Sequence, residues 1–255
     1  MPPVSSAAPR VSTVDDREFD HYDALADTWW DPTGPFWPLH RLNELRVHWI
    51  VDQLTALGMA EGAAAQPLAG LSVLDLGCGG GILAESLARL GGQVHGVDVV
   101  PRNIATAKHH SAASGLNVSY AVTSAEELAE AGRRYDLVCN MEVVEHVANL
   151  ETFMACAGSL VRPGGAMFVA TINRTLRAWL TAIIGAEYIL RWLPRGTHRY
   201  RLLRRPEEVA HLLAASGLRQ TAITGVRVNP LNRKFSFTDD VGVNYMLCAV
   251  KAVKP

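Results

Sequence analysis

A chain of 255 residues is long enough for one α/β domain with additions and too short for two full domains. With 49% hydrophobic and 19% charged residues it can bury a core, which excludes a disordered protein. A formal net charge of −1 excludes a general attraction to nucleic acid or anionic lipid, so any such affinity has to come from a local patch.

Residues 1–14 are rich in Pro, Ser and Ala, with a single Arg and no apolar stretch. They read as a disordered tail and match neither a secretory signal nor a transit peptide. Residues 19–37 are dense in aromatics (Phe19, Tyr22, Trp29, Trp30, Phe36, Trp37) and broken by Asp31-Pro32-Thr33-Gly34-Pro35. A helix, a turn and a second helix from Leu39 are expected, with Leu42, Leu45, Trp49 and Ile50 on one face. Residues 60–70 form an Ala/Gly linker.

From Leu71 the pattern alternates. Strands are expected at 72–76, 93–98, 118–122, 135–140 and 166–171, with helices at 81–90, 102–114, 125–131 and 150–160. Pro163-Gly164-Gly165 reads as a turn ahead of the fifth strand. Such alternation demands a parallel sheet with right-handed crossovers. Residues 175–193 then form an apolar helical insert, ended by Pro194-Arg195-Gly196. Pro206 opens a helix to Ser216, and strand-like runs at 221–228 and 243–250 finish the chain.

The predicted fold class is α/β: a Rossmann-like doubly wound sheet of seven strands with a late antiparallel hairpin, N-terminal helices and a helical insert after the fifth strand. The domain at 15–255 divides into a helical lid (15–60), a cofactor-binding core (71–171), a basic insert (172–205) and C-terminal helix and strands (206–255). The cysteines, Cys78, Cys139, Cys156 and Cys248, form no closely spaced metal-ligand pair. That usage suits a reduced, cytoplasmic setting.

The core carries a nucleoside signature. Val73-Leu74-Asp75-Leu76-Gly77-Cys78-Gly79-Gly80-Gly81 runs a buried strand into a glycine turn, and Asp98 ends the next strand 21 residues after Gly77. Ile82 stands where a dinucleotide fingerprint wants its last glycine, which points away from nicotinamide and towards S-adenosylmethionine. Gly77 and Gly79 let the backbone approach the ligand. Asp98 would accept both ribose hydroxyls, and Asp75 either holds the loop or faces the methionine amine. Glu126 either bonds the adenine amine or is an acid at a helix N-terminus.

Residues 135–147 leave the sheet at its ligand-binding end, and no Asn/Asp-Pro-Pro-aromatic element of nucleic-acid amino-methylases is present. Glu142, Glu145 and His146 are spaced so that one helical turn would put them on one face. Here the chain resembles the ubiquinone-biosynthesis O-methyltransferases, over residues 19–250. The likeness rests on Ala26-Asp27-Thr28-Trp29-Trp30-Asp31, Pro38-Leu39-His40-Arg41-Leu42-Asn43, the loop 75–85, Met141-Glu142-Val143-Val144-Glu145-His146-Val147, Gly185-Ala186-Glu187-Tyr188-Ile189-Leu190 and Val243-Asn244-Tyr245-Met246.

The resemblance implies cofactor residues at Arg46, Gly77, Asp98 and Met141. Arg46 would fork onto the methionine carboxylate and Met141 would pack on adenine. Trp29, Trp30, Phe36 and Trp37 would form a water-excluding lid, or pack the N-terminal helices. The acceptors implied are catechol-type hydroxyls of polyprenylated rings, in both O-methylation steps: 2-polyprenyl-6-hydroxyphenol and 3-demethylubiquinol. A magnesium ion is implied at Glu142, Glu145 and His146, with His146 alternatively a general base.

Residues 174–205 hold eight arginines against one acid, Glu187. An apolar helix with tryptophans in a basic surround reads as a membrane-surface element, or as a cover for the sheet edge with solvated arginines. The partners expected are a polyprenylated phenol or quinol, an anionic membrane surface through 174–205 and a ubiquinone-biosynthesis complex, with no nucleic acid. The expected location is cytoplasmic, peripheral on the inner face of the membrane. Rival readings are a methyltransferase for a soluble small phenol, one gripping RNA through the arginines, and a cofactor-binding module without turnover.

Overall fold

Strands buried on both faces need apolar side chains at successive positions, and the runs around Leu74, Leu137 and Met167 provide them. In the computed structural model, which describes residues 13–181, 184 and 199–253, these runs are the inner strands of one sheet. In chain order the N-terminal half holds α1 (Asp16–Leu25), α2 (Trp37–Ala56), β1 (Ser72–Leu76), α3 (Ile82–Arg89), β2 (Gln93–Asp98), α4 (Pro101–Ala113), β3 (Ser119–Val122) and α5 (Ala125–Glu130). Then follow β4 (Tyr135–Met141), α6 (Leu150–Ser159), β5 (Val161–Ile172), a short α7 (Leu176–Ala178), α8 (Pro206–Ala215), β6 (Leu218–Asn229), β7 (Lys234–Thr238) and β8 (Asn244–Lys251).

The sheet order is β3-β2-β1-β4-β5-β8-β6-β7. The first five strands are parallel, and β8, β6 and β7 add antiparallel to the β5 edge. The order reverses between β1 and β4, so the crevice beyond their carboxyl ends is where such sheets bind ligands. Alternation along β5 builds both layers. Ala166, Phe168 and Ala170 join Trp49, Ile50 and Leu54 on one face, while Met167 and Val169 join Leu74, Val138 and Phe153 on the other. Each of the larger apolar side chains among them contributes about 1.5–3 kcal/mol when buried.

Three expectations are corrected. The sheet has eight strands, not seven, because Lys234–Thr238 pairs with β6, and the hairpin is β6–β7 with β8 lying between β5 and β6. Phe235 and Phe237 alternate as a strand should, but only partly bury, which hid the signal. Pro163-Gly164-Gly165 is absorbed into β5, with a register shift between Tyr135 and Leu137 taking up the irregularity. Thr13 and Val14, assigned to the tail, belong to the fold: Thr13 is buried and Val14 bridges Val147.

The predicted helix 175–193 lies largely outside the described residues. What is described begins with Thr175, whose hydroxyl caps α7 by accepting the Ala178 N–H at 3.0 Å. Leu176, Trp179 and Leu180 are exposed. Arg174 pairs with Glu208, and Arg177 with Asp240. Among the described residues no helix is long and apolar enough to cross a membrane.

Candidate active site

The carboxyl ends of β1, β2 and β4 meet at one pocket, and the glycine turn is its floor. The turn hangs from β2: the N–H groups of Gly77 and Cys78 both donate to the Val97 carbonyl, at 2.8 and 2.9 Å. Gly77 and Gly79 have φ of 73° and 52°, a region costly for other residues. A Cβ at Gly77 would lie 2.5 Å from Val143, and one at Gly79 2.4 Å from the Trp29 ring. Glycine is therefore required twice over, by backbone conformation and by close approach.

Asp98 stands at the end of β2 beside this turn. Its carboxylate accepts the N–H groups of Gly79 (2.9 Å) and Val100 (2.8 Å) and the Asn103 amide (3.3 Å). Burial raises its pKa above the ordinary carboxylate value, against the pull of those donors. Asp75 faces the pocket from β1, buried, with Oδ2 unpartnered. Burial pushes its pKa to about 7, opposed by the Ala84 N–H and by Arg46. Holding the first turn of α3 is thus one role of Asp75, and its second oxygen is left for a ligand.

Of the aromatic segment, Phe19, Tyr22 and Trp29 line the pocket, whereas Trp30, Phe36 and Trp37 do not. Trp29 stacks on Phe36 at 3.8 Å and donates its indole N–H to Asn103 at 2.8 Å, so it touches a partner of Asp98. Trp30 donates to the Gly80 carbonyl at 2.8 Å and stacks on His110 at 3.4 Å. His110 is held by Glu85, a fully buried carboxylate that also pairs with Arg89. Glu126 accepts a hydrogen bond from Thr13, which engages the side chain proposed for adenine.

The buried stripe of α2 contains Asn43 and Arg46 among Trp49, Ile50 and Leu54. Both polar residues line the pocket wall. Arg46 pairs with Glu142, and its Nε is buried without a partner. Met141, at the end of β4, is buried and lines the same wall.

The expected helical turn over 142–146 is absent. β4 stays in register with β5 through Met141–Ala170, Glu142 turns the chain at φ 57°, and the next helix begins only after Asn149 caps it. A non-glycine residue at positive φ is strained, and such strain concentrates at functional sites. Glu142, Glu145 and His146 consequently do not share one face. Glu142 faces Arg46 and Glu145 is buried, while His146 turns to α1. There Nδ1 lies 2.8 Å from Glu18 Oε2 and Nε2 lies 3.1 Å from the Tyr22 hydroxyl. Glu18 and Tyr22 were missed in the sequence. Their i, i+4 spacing on one helix face was the available signal, but nothing local names their partner.

A magnesium ion fits part of this arrangement. Neither Glu145 oxygen has a hydrogen-bond partner, and burial and the neighbouring Glu142 push its pKa well above the carboxylate range. Such a carboxyl holds a proton or meets a cation, and two carboxylates suit magnesium. His146 does not complete the set, since both ring nitrogens are engaged elsewhere, and no group of three His, Cys, Asp or Glu ligands gathers among the described residues.

A family profile described as a methyltransferase domain matches residues 50–223. The ubiquinone biosynthesis O-methyltransferase of Rhizobium etli (strain CIAT 652) is 53% identical over 236 residues, covering 92% of this chain and 95% of its own. The protein of that description from Sinorhizobium fredii (strain NBRC 101917 / NGR234) is 51% identical over 238 residues, covering 93% and 96%. Among solved structures, magnesium protoporphyrin IX methyltransferase from Synechocystis PCC 6803 with bound SAH has a TM-score of 0.64 at 20% identity, covering 91% and 95%. The [4+2]-cyclase SpnF has a TM-score of 0.65 at 16% identity, covering 96% and 98%. A cyclase on this fold shows that shape alone does not choose the reaction. About half the residues identical over nearly the whole chain is a closer bond than shape, and the chain belongs to the ubiquinone biosynthesis O-methyltransferases, enzymes that use S-adenosylmethionine.

Proposed function

We propose that the chain methylates a ring hydroxyl of polyprenylated catechol-type intermediates, and serves both such steps, on 2-polyprenyl-6-hydroxyphenol and on 3-demethylubiquinol. The observation carrying this reading is the identity of about half the residues over nearly the whole chain with ubiquinone biosynthesis O-methyltransferases, together with Arg46, Asp98, Met141 and the glycine turn lining one pocket. S-adenosylmethionine, when bound, supplies a methyl group on a good leaving group. Asp98 holds the ribose, Arg46 the methionine carboxylate and Met141 the adenine face, while Gly77 and Gly79 let the backbone close on the ligand. His146 would take the phenolic proton at Nε2 where an acceptor hydroxyl replaces the Tyr22 hydroxyl that this nitrogen meets. A free phenol has a pKa of about 10, so its proton has to be removed during transfer. Magnesium, when bound, would be held by Glu142 and Glu145 and would lower that pKa as a Lewis acid.

The insert is proposed to dock on anionic lipid at the inner face of the membrane, where a prenylated acceptor resides. Exposed Leu176, Trp179 and Leu180 support its apolar part, while Arg174 and Arg177 are each paired with a carboxylate and leave the lipid contact to the other arginines of the stretch. Flotation with phosphatidylglycerol vesicles should carry the protein up and neutral vesicles should not; equal behaviour in both discards the docking.

The test of the activity is transfer of labelled methyl from S-adenosylmethionine to a short-chain prenylated catechol, with magnesium or with a chelator. Product is expected, slowed by the chelator. Product indifferent to the chelator keeps the enzyme and discards the metal. No product, with cofactor binding intact, rejects the acceptor.

A further inference from the structure

Residues 23–30 are docked along one face of α4. Arg102 reaches Asp23 and Asp27 at 3.3 and 2.6 Å, the Thr106 hydroxyl donates to the Ala26 carbonyl at 3.1 Å, and His110 carries the Trp30 ring. Arg102, Thr106 and His110 are four positions apart, so helical period alone lines them up. α4 is also the helix that follows β2 and its terminal Asp98. Asn103, in the first turn of α4 and 1% exposed, lies between that acid and the docked segment. Its Oδ1 accepts the Trp29 indole N–H at 2.8 Å, and its Nδ2 donates to Asp98 Oδ1 at 3.3 Å. Trp29 in turn lies against the glycine turn, where a Cβ on Gly79 or Gly80 would come within 2.4 Å of it.

We infer that Asn103 is a positioning residue of the cofactor site: it orients the Asp98 carboxylate for the ribose and seats Trp29 on the glycine turn, so that the two are linked. This rests on the reading of Asp98 as the ribose acid. The chemistry selects asparagine. An indole N–H only donates and a carboxylate only accepts, so the residue between them has to accept on one side and donate on the other. The amide does both in one orientation; flipped, it would turn donor to donor and acceptor to acceptor. Asp98 Oδ2 takes the Gly79 N–H, while Oδ1 takes the Val100 N–H and the Asn103 amide. Both oxygens are pinned and the carboxylate plane is set before any hydroxyl arrives, which is the preorganisation that two hydroxyls on one acid require. By linkage, whatever affinity the Trp29 contact adds for the cofactor, the cofactor returns to the seating of Trp29.

Calorimetry on the full chain measures Kd for S-adenosylhomocysteine and for its analogue lacking both ribose hydroxyls, in the wild type, Asn103→Leu, Asn103→Asp and Trp29→Phe. The wild type should prefer S-adenosylhomocysteine. Asn103→Leu should weaken that ligand about tenfold, the scale of one hydrogen bond to a charged group, and leave affinity for the analogue unchanged. Asn103→Asp keeps an acceptor for Trp29 but sets a second carboxylate against Asp98, so it should lose at least as much. Trp29→Phe keeps a ring and loses the indole N–H. It should weaken S-adenosylhomocysteine severalfold and add nothing on top of Asn103→Leu. With Asn103→Asp it carries the test if Asn103→Leu does not fold. Wild-type affinity in both Asn103 variants overturns the positioning role, while a weakened Asp98→Ala in the same assay keeps the ribose reading. Equal weakening towards both ligands means that Asn103 only shapes the pocket, and the inference fails. Wild-type affinity in Trp29→Phe overturns the link to the aromatic segment. If the wild type binds both ligands alike, the ribose reading itself falls, and the positioning role with it.

Discussion

Asp98→Ala is expected to weaken S-adenosylmethionine binding by about 10²–10⁴-fold and to remove methyl transfer at ordinary cofactor concentrations. Two ribose hydroxyls on one carboxylate are two charge-assisted hydrogen bonds, each worth about 1.5–3 kcal/mol. The same substitution releases the N–H groups of Gly79 and Val100 and the Asn103 amide, so the glycine turn loses one of its ties to β2 and keeps those to the Val97 carbonyl. Asp98→Asn should lose nearly as much, because its amide group turns donors towards donors. Asp98→Glu should keep the charge but displace it, and bind with intermediate affinity. Titration calorimetry with S-adenosylmethionine measures this, and an Asp98→Ala protein with wild-type affinity would falsify the ribose role.

Arg46→Met should cost about 2–4 kcal/mol of stability, below the full penalty for breaking a buried ion pair because the Glu142 side chain is 26% exposed. Arg46 is 5% exposed, and across from it Glu142 adjoins Glu145, whose oxygens have no other partner. Without the guanidinium, Glu142 is left uncompensated beside that buried acid. Thermal denaturation without cofactor should show a drop in Tm on the order of 10 °C. Adding Glu142→Gln should restore more than half, since the penalty comes from the stranded carboxylate and not from a lost attraction. If the double variant is as unstable as Arg46→Met, the loss arises from packing of the arginine stem. Affinity for S-adenosylmethionine should fall in both variants if Arg46 is the donor for the methionine carboxylate, as proposed.

The parts legible in sequence are those in which neighbours along the chain decide the outcome. β1 and β2 lie at the residues expected for them because inner strands are apolar on both faces and end in a turn or an acid. Gly77, Gly79 and Asp98 were visible for the same reason: conformation and spacing within one βαβ unit demand them. β7 was overlooked because a strand at the sheet margin shows only half an alternation. The helical spacing of Glu142, Glu145 and His146 misled because period has meaning only inside a helix, and here the chain turns on a left-handed residue.

The sequence by itself determined the doubly wound sheet, the glycine turn, the acid beside it and, through resemblance, the family. Tertiary structure alone decided which charges meet. Arg46 finds Glu142 across 96 residues, His146 finds Tyr22 across 124 and Glu18 across 128, and Arg199 reaches Glu18 across 181. Local propensity acts over a few residues, whereas a buried charge selects its partner by distance and desolvation once the sheet and its covering helices have packed.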